Sequence, residues 1–261
     1  RVAHGGIRMK RLGTLLLLGL LVGGCGTIRD WRDHRRASTP SCTWSADGSQ
    51  VTITGPTDRR MLDCLLQRDA APDTLQINSL GGNVEYALTI AERLAPSAPR
   101  VIVDGNCSSS CANFILPIAR HIVLLPDALV LLHGSADPAL LARFEREGSG
   151  SDAFRKLAER QARFVGAQGI APGWLLYRTG EQDEPPWGVY VTGSPDDDGA
   201  SGRFLLVGED FLGSCLPTRP IEGCAGPIGG KVTSDLALRA QLAGQGVMPT
   251  GSMRCIEGPS P

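Results

Sequence analysis

The chain has 261 residues, 42% of them hydrophobic, which suits one domain, at most two, with a real core. Gly 33 and Pro 18 forecast many loops, and aromatics at 5% leave little surface for stacking nucleobases. Residues 1–24 hold Arg1, Arg8, Lys10 and Arg11 and no acid; the remainder carries 22 basic and 27 acidic residues, a net of −5 that argues against non-specific nucleic-acid binding.

The first element is a targeting segment. Met9 to Arg11 is basic and marks the expected start. Leu15 to Val22 is apolar but too short to span a bilayer. It ends in Val22-Gly-Gly-Cys25, small residues before a cysteine. This resembles the bacterial lipobox, with Val22 in place of the preferred leucine. The resemblance implies a signal peptide over 1–24, lipidation of Cys25 and a lipid anchor on the periplasmic side of the cell envelope. Gly26 is not the aspartate of inner-membrane retention, which favours the outer membrane. Residues 25–40 are charged and aperiodic, as a flexible tether would be.

Seven cysteines follow Cys25, and an exported chain would oxidise them. Cys42 with Cys64, Cys107 with Cys111, and Cys215 with Cys224 are local candidate pairs, leaving Cys255 over. Connectivity stays open at this level. Zinc is disfavoured, because no second close Cys or His pair accompanies Cys107 and Cys111. No metal or cofactor is expected.

A domain is expected over 41–212. Val51–Thr54 reads as a strand, and Asp58 can cap a helix over 59–68 with Met61, Leu62, Leu65 and Leu66 on one face. Strand Thr74–Ile77 leads through Gly81-Gly82 to a helix over 84–94, striped with Val84, Ala87, Leu88, Ile90, Ala91 and Leu94. Strand Val101–Val103 precedes the turn Cys107-Ser-Ser-Ser-Cys111 and a buried helix kinked at Pro117. Strands 121–125 and 128–132 follow, the second ending at His133. Strand and helix alternate here, so right-handed βαβ crossovers and a largely parallel sheet are expected. Residues 138–168 read as helix with a weak break at Gly148-Ser-Gly150, and 170–177 as a shorter one. Residues 189–191 and 203–207 read as strands. Residues 213–261 form a Cys/Gly/Pro-rich C-terminal extension with little regular structure apart from a helix near 234–242.

The chemistry converges on three strand ends. Ser110 is the first candidate nucleophile, at a helix N-terminus whose free N–H groups would also steady an oxyanion. Serines there are also ordinary caps. His133 is the candidate base. Of four histidines, His4 and His34 fall in the leader and tether, and His121 starts its strand at the opposite end. Gly81-Gly82 lets a backbone approach closely, whether for a tight turn or to offer N–H groups. Cys111 as a thiolate nucleophile is disfavoured, since a paired or buried thiol is inert.

Ile77-Asn-Ser-Leu-Gly-Gly82, then Ser110-Cys-Ala-Asn-Phe-Ile-Leu116, then Ala128-Leu-Val-Leu-Leu-His133 resembles the proteolytic subunit of Clp protease. The chain is more similar still to periplasmic Clp-protease-like proteins of the ClpP/crotonase-like fold. The resemblance covers roughly residues 50–135. It implies an α/β fold of repeated ββα/βαβ units. It also implies Ser110 as nucleophile, His133 as base, and an oxyanion hole from Gly81 or Gly82 and the Cys111 amide. Alignment on the cysteines moves the nucleophile to Ser109, the runner-up. The third triad member would be Asp183, with Glu181 and Glu184 beside it. Leu80 stands where the family has proline.

These readings sum to an exported, lipid-anchored serine hydrolase, a peptidase acting on peptide or protein through an acyl-enzyme. An ATP-driven unfoldase is not expected outside the cytoplasm, and assembly into homo-oligomers stays open. The alternative is a non-catalytic lipoprotein of the same fold that binds or scaffolds in the envelope. An acyl-CoA-handling crotonase is weaker, because CoA is cytosolic.

Overall fold

The computed structural model describes residues 35–125, 128–132, 134–136, 138–148, 152–175, 204–207, 209–223 and 247–249. Cys25, His133, Glu181, Asp183, Glu184, Cys224 and Cys255 lie outside them, as do the expected strand 189–191 and helix 234–242.

The described part is a mixed α/β structure on one sheet of nine strands. These are β1 (Ser41–Trp44), β2 (Gln50–Thr54), β3 (Thr74–Ser79), β4 (Arg100–Ser108), β5 (His121–Leu124), β6 (Leu129–Leu132), β7 (Phe204–Leu206), β8 (Ile221–Glu222) and β9 (Val247–Pro249). The main path runs β1-β2-β3-β4-β6-β7-β9, with β5 and then β8 branching from β4. Strands β2, β3, β4, β5 and β6 are mutually parallel where they pair, and antiparallel partners occur at β1 and β7. The largely parallel sheet expected from the alternation is therefore present. β1 covers one edge, ahead of the first strand expected from the sequence.

β4 is longer than its β-branched run suggested, and it serves two neighbours. Its first half pairs with β5 (Val101 with Ile122), its second half with β6 (Cys107 with Val130). The change of partner falls at a bulge. Against β3 the register moves from Ile77↔Val103 to Ser79↔Cys107, so β4 carries two extra residues there. Gly105 makes the bend possible at φ +106°, and a β-carbon there would lie 2.6 Å from the Asn78 amide nitrogen. Asn78 Oδ1 accepts from the Asn106 N–H at 3.0 Å, so the backbone donor freed by the bulge is satisfied.

Helix α1 (Arg59–Leu65) starts at Asp58, whose carboxylate accepts from the Arg60 and Met61 amides. Helix α2 (Val84–Leu94) has the expected limits. Asn83 caps it, Glu85 sits in its first turn and Arg93 in its last, and Ala87, Leu88, Ile90, Ala91 and Leu94 are buried. Each large apolar side chain buried there contributes roughly 1.5–3 kcal/mol, so the stripe, rather than propensity, holds the helix.

The segment after the serines is a widened turn, not an ordinary helix. Cys111–Ile115 is π-helical, closed by the Leu116 N–H to the Cys111 carbonyl, and Leu116–Ile118 is a 3₁₀ turn. Pro117 is the reason the widening needs help: it has no N–H to give the Ala112 carbonyl. The Trp174 indole donates to that carbonyl instead, at 3.1 Å, from a fully buried position. Phe114 packs edge-on against Phe164 of the long helix at a centroid distance of 5.9 Å.

Helices α3 (Pro138–Arg146) and α4 (Asp152–Gln168) flank the expected break at 148–150. Arg160 of α4 binds Glu92 of α2 through two contacts of 2.9 and 2.6 Å, and Thr89 at 2.9 Å. That hydrogen-bonded carboxylate raises the guanidinium above its ordinary pKa. Helix α5 (Glu209–Cys215) runs into the extension, and β8 and β9 show that 213–261, expected to hold little regular structure apart from a helix near 234–242, contributes strands to the same sheet. The end of the expected tether also packs: Ala37 is fully buried and Arg36 pairs with Asp104 at 2.9 Å. The packed body therefore includes residues 35–40.

Candidate functional site

Three turns meet at the carboxyl ends of the parallel strands: Thr57 after β2, Gly81-Gly82 after β3, and Ser109-Ser110 after β4. A crevice at that rim is where parallel sheets present ligands. Thr57 and Gly82 form a parallel bridge. The Thr57 N–H donates to the Gly81 carbonyl at 2.9 Å, and the Asn83 N–H donates to the Thr57 carbonyl at 3.0 Å. In such a bridge the N–H of Gly82 itself faces away from Thr57. The Gly81 N–H is committed to Ser79 Oγ at 3.1 Å.

The three serines have different fates. Ser108 belongs to β4, opposite Leu131, and its hydroxyl is buried without a partner. Ser110 is 1% exposed and its side chain turns inward. Its Oγ lies 2.7 Å from Thr57 Oγ1 and 3.3 Å from the Gly82 carbonyl oxygen. Ser109 lies between them, partly exposed, at φ +55°. A serine in the left-handed region costs on the order of 1–2 kcal/mol. Both backbone groups of Ser109 are held, its N–H by the Leu131 carbonyl and its carbonyl by the Asn113 N–H, each at 2.8 Å. The strained conformation is thus imposed by the sheet on one side and the π turn on the other.

Gly81 (φ +87°) fits against this turn because it lacks a β-carbon. One placed there would lie 2.5 Å from Ser109 Cβ and 2.9 Å from the Ser110 nitrogen. Cys107 and Cys111 are bonded to each other and buried, stapling the end of β4 to the first turn beyond it. Cys111 therefore carries no thiol. Cys42–Cys64 is also formed, joining β1 to α1, and Cys215 is disulfide-bonded, although its expected mate Cys224 lies outside the described residues.

The residues on either side of His133 are described. Leu132 ends β6, and Gly134, Ser135 and Ala136 follow. Asn113 donates from Nδ2 to the Gly134 carbonyl at 2.9 Å, and Gln161 of α4 accepts from the Ala136 N–H at 3.1 Å. Both amides are buried, and each has its other polar atom unpartnered. The chain just past His133 is thereby tied to the helical turn that follows the serines. Neither amide was singled out in the sequence; the signal for Asn113 is a polar residue in an otherwise apolar run. His121 begins β5, with Glu222 of β8 at 3.4 Å. Among the described residues no three His, Cys, Asp or Glu side chains cluster as metal ligands would.

No family model matches this sequence. A search of curated proteins also finds no match. Among solved structures, the chain is similar to a mutant of ClpP1 from Listeria monocytogenes, at 21% identity and a TM-score of 0.33 over 47% of this chain and 72% of that one. That likeness concerns the fold alone.

Proposed function

We propose that this protein is a serine hydrolase of the Clp-protease-like type, a peptidase working through an acyl-enzyme, with Ser109 as nucleophile. The carrying observation is the backbone of Ser109. It sits partly exposed at φ +55° on a strand-to-helix turn, with Gly81 pressed against it. A sharp, strained turn of this kind thrusts a hydroxyl out of the sheet and leaves the next residue's N–H beside it. Ser110, the first choice from sequence, has its oxygen engaged by Thr57 inside the fold, which favours the runner-up. With Ser109 attacking, the oxyanion hole becomes the N–H of Ser110, in place of Cys111, and the N–H of Gly82.

In the proposed reaction Ser109 Oγ attacks the scissile carbonyl carbon and its proton passes to His133. The C–N bond breaks, and the departing amine takes that proton. Water, deprotonated by the same imidazole, then attacks the ester; its C–O bond breaks, the imidazole returns the proton to Ser109 Oγ, and the carboxylic acid product leaves. Asp183 is proposed as the acid orienting His133. Cys25 lipidation, a tether ahead of residue 35 and a position on the periplasmic side of the envelope belong to the same reading. The disulfides support an oxidising compartment.

A fluorophosphonate probe tests it. The wild-type chain should be labelled, Ser109→Ala should abolish labelling, and Ser110→Ala should retain it in reduced measure. Full labelling of Ser109→Ala removes Ser109 from the role, and absence of labelling in the wild type removes the hydrolase.

A further inference from the structure

We propose that Thr57 is a positioning residue for the oxyanion hole, acting through the hydroxyl of Ser110; the inference rests on the hydrolase reading above. Thr57 is fully buried in the turn after β2, outside every motif that suggested a hydrolase. It nevertheless touches both halves of the site. Its backbone brackets the glycine turn through the Gly81 carbonyl and the Asn83 N–H. Its hydroxyl meets Ser110 Oγ at 2.7 Å and lies 3.4 Å from the Asn83 carbonyl.

The proton count makes this a clamp rather than a chance contact. Each hydroxyl has one proton to give. If Ser110 donates to the Gly82 carbonyl, the short contact must be donated by Thr57. If Thr57 donates to the Asn83 carbonyl, Ser110 donates to Thr57. In either arrangement Ser110 is tied to the glycine turn, directly or through Thr57. The two N–H groups proposed for the oxyanion belong to Ser110 and Gly82, so the network sets the spacing between them. Gly82 is also confined by Thr57: a β-carbon there would lie 3.1 Å from its N, O and Oγ1.

An oxyanion hole acts only if its donors are aimed beforehand, and a misplacement of about 1 Å can cost on the order of 100-fold in rate. Thr57→Val keeps the shape and deletes the clamp; Thr57→Ser keeps the hydroxyl and deletes the methyl. Saturation labelling by a fluorophosphonate separates reversible binding of the probe from the bond-forming step. The expected result is a fall of about tenfold or more in the maximal labelling rate for Thr57→Val, with unchanged apparent binding, and near wild-type behaviour for Thr57→Ser. Ser110→Ala should show a similar fall, and the Thr57→Val/Ser110→Ala double variant should be no slower than the worse single one.

Thr57→Val labelling at the wild-type rate overturns the inference. So does Thr57→Ser slowing as much as Thr57→Val, because packing of the methyl would then be the cause. Fully additive losses in the double variant overturn it too. Failure of the hydrolase reading is told apart by the controls: an unlabelled wild type, or a fully labelled Ser109→Ala, removes that reading and this inference with it.

Discussion

Gly81 and Ser109 are in contact to the exclusion of any side chain on Gly81. A β-carbon there would stand 2.5 Å from both Ser109 Cβ and the Ser108 carbonyl oxygen. The glycine turn and the serine turn, 28 residues apart, are therefore one surface. Gly81→Ala should destabilise the fold by about 2 kcal/mol or more, since the positive φ and the clash add. It should also reduce probe labelling beyond the loss expected from unfolding. Urea denaturation alongside labelling at a temperature where the variant stays folded measures both, and an unaffected midpoint would mean that the two turns can part freely.

The two described disulfides should separate stability from activity. Cys42–Cys64 closes a span of 22 residues and Cys107–Cys111 a span of 4. Loop-closure entropy assigns about 3 kcal/mol to the longer bridge and about 2 kcal/mol to the shorter. Cys42→Ala/Cys64→Ala should therefore lower the denaturation midpoint more, yet leave labelling of the folded protein intact. Cys107→Ala/Cys111→Ala should lower it less and slow labelling more, because that bridge spans Ser109 and Ser110. Labelling rates that follow stability alone in both variants would contradict this division.

Asn113 should matter more to reactivity than to stability. Its Nδ2 holds the Gly134 carbonyl at 2.9 Å, while its buried Oδ1 lacks a partner. Asn113→Leu gives up a useful hydrogen bond and at the same time removes an orphaned acceptor, so the net stability change should stay within about 1 kcal/mol. The chain after His133 loses its tie to the serine turn, and labelling should fall severalfold. A variant that melts as wild type and labels as wild type would show that the tie is idle.

Asp47 supplies a pH signature remote from the site. Its carboxylate is held down from 3.8 to about 2, chiefly by the Ser45 hydroxyl and then by the Ser49 amide and hydroxyl, all in the turn between β1 and β2. A carboxyl whose folded pKa lies below its unfolded one adds stability that is complete above the unfolded value, 3.8, and disappears as pH falls through about 2. The stability difference between wild type and Asp47→Ala should be constant above about pH 5 and shrink across that window. Carbon-detected NMR of the Asp47 carboxyl should find a midpoint near 2; a midpoint near 3.8 would show that the hydroxyls do not engage it.

Much of this architecture is written in local pattern. The apolar stripe of α2 and its Asn83 cap specify a helix whatever it packs on, and its observed limits are the expected ones. The alternation of short apolar strands with helices specifies a largely parallel sheet, because parallel neighbours need crossovers. Cys107 and Cys111 are legible as a candidate pair, four residues apart across one turn, but the sequence leaves connectivity open and the bond itself is seen in the structure.

What tertiary structure alone decided is direction. Three consecutive serines look alike in sequence, and each can cap, hide or face outward. Their fates follow from a bulge in β4 that Asn78 and Gly105 shape together, and from Thr57, which lies 53 residues from Ser110 and still draws its hydroxyl inward. The strands β8 and β9 have the same origin: segments of two and three residues have no period to read, and they become strands only because β5 and β7 offer open edges. Local sequence sets which dihedral angles are cheap. Which face a side chain takes at a bulge or turn depends on partners that only the assembled sheet brings near.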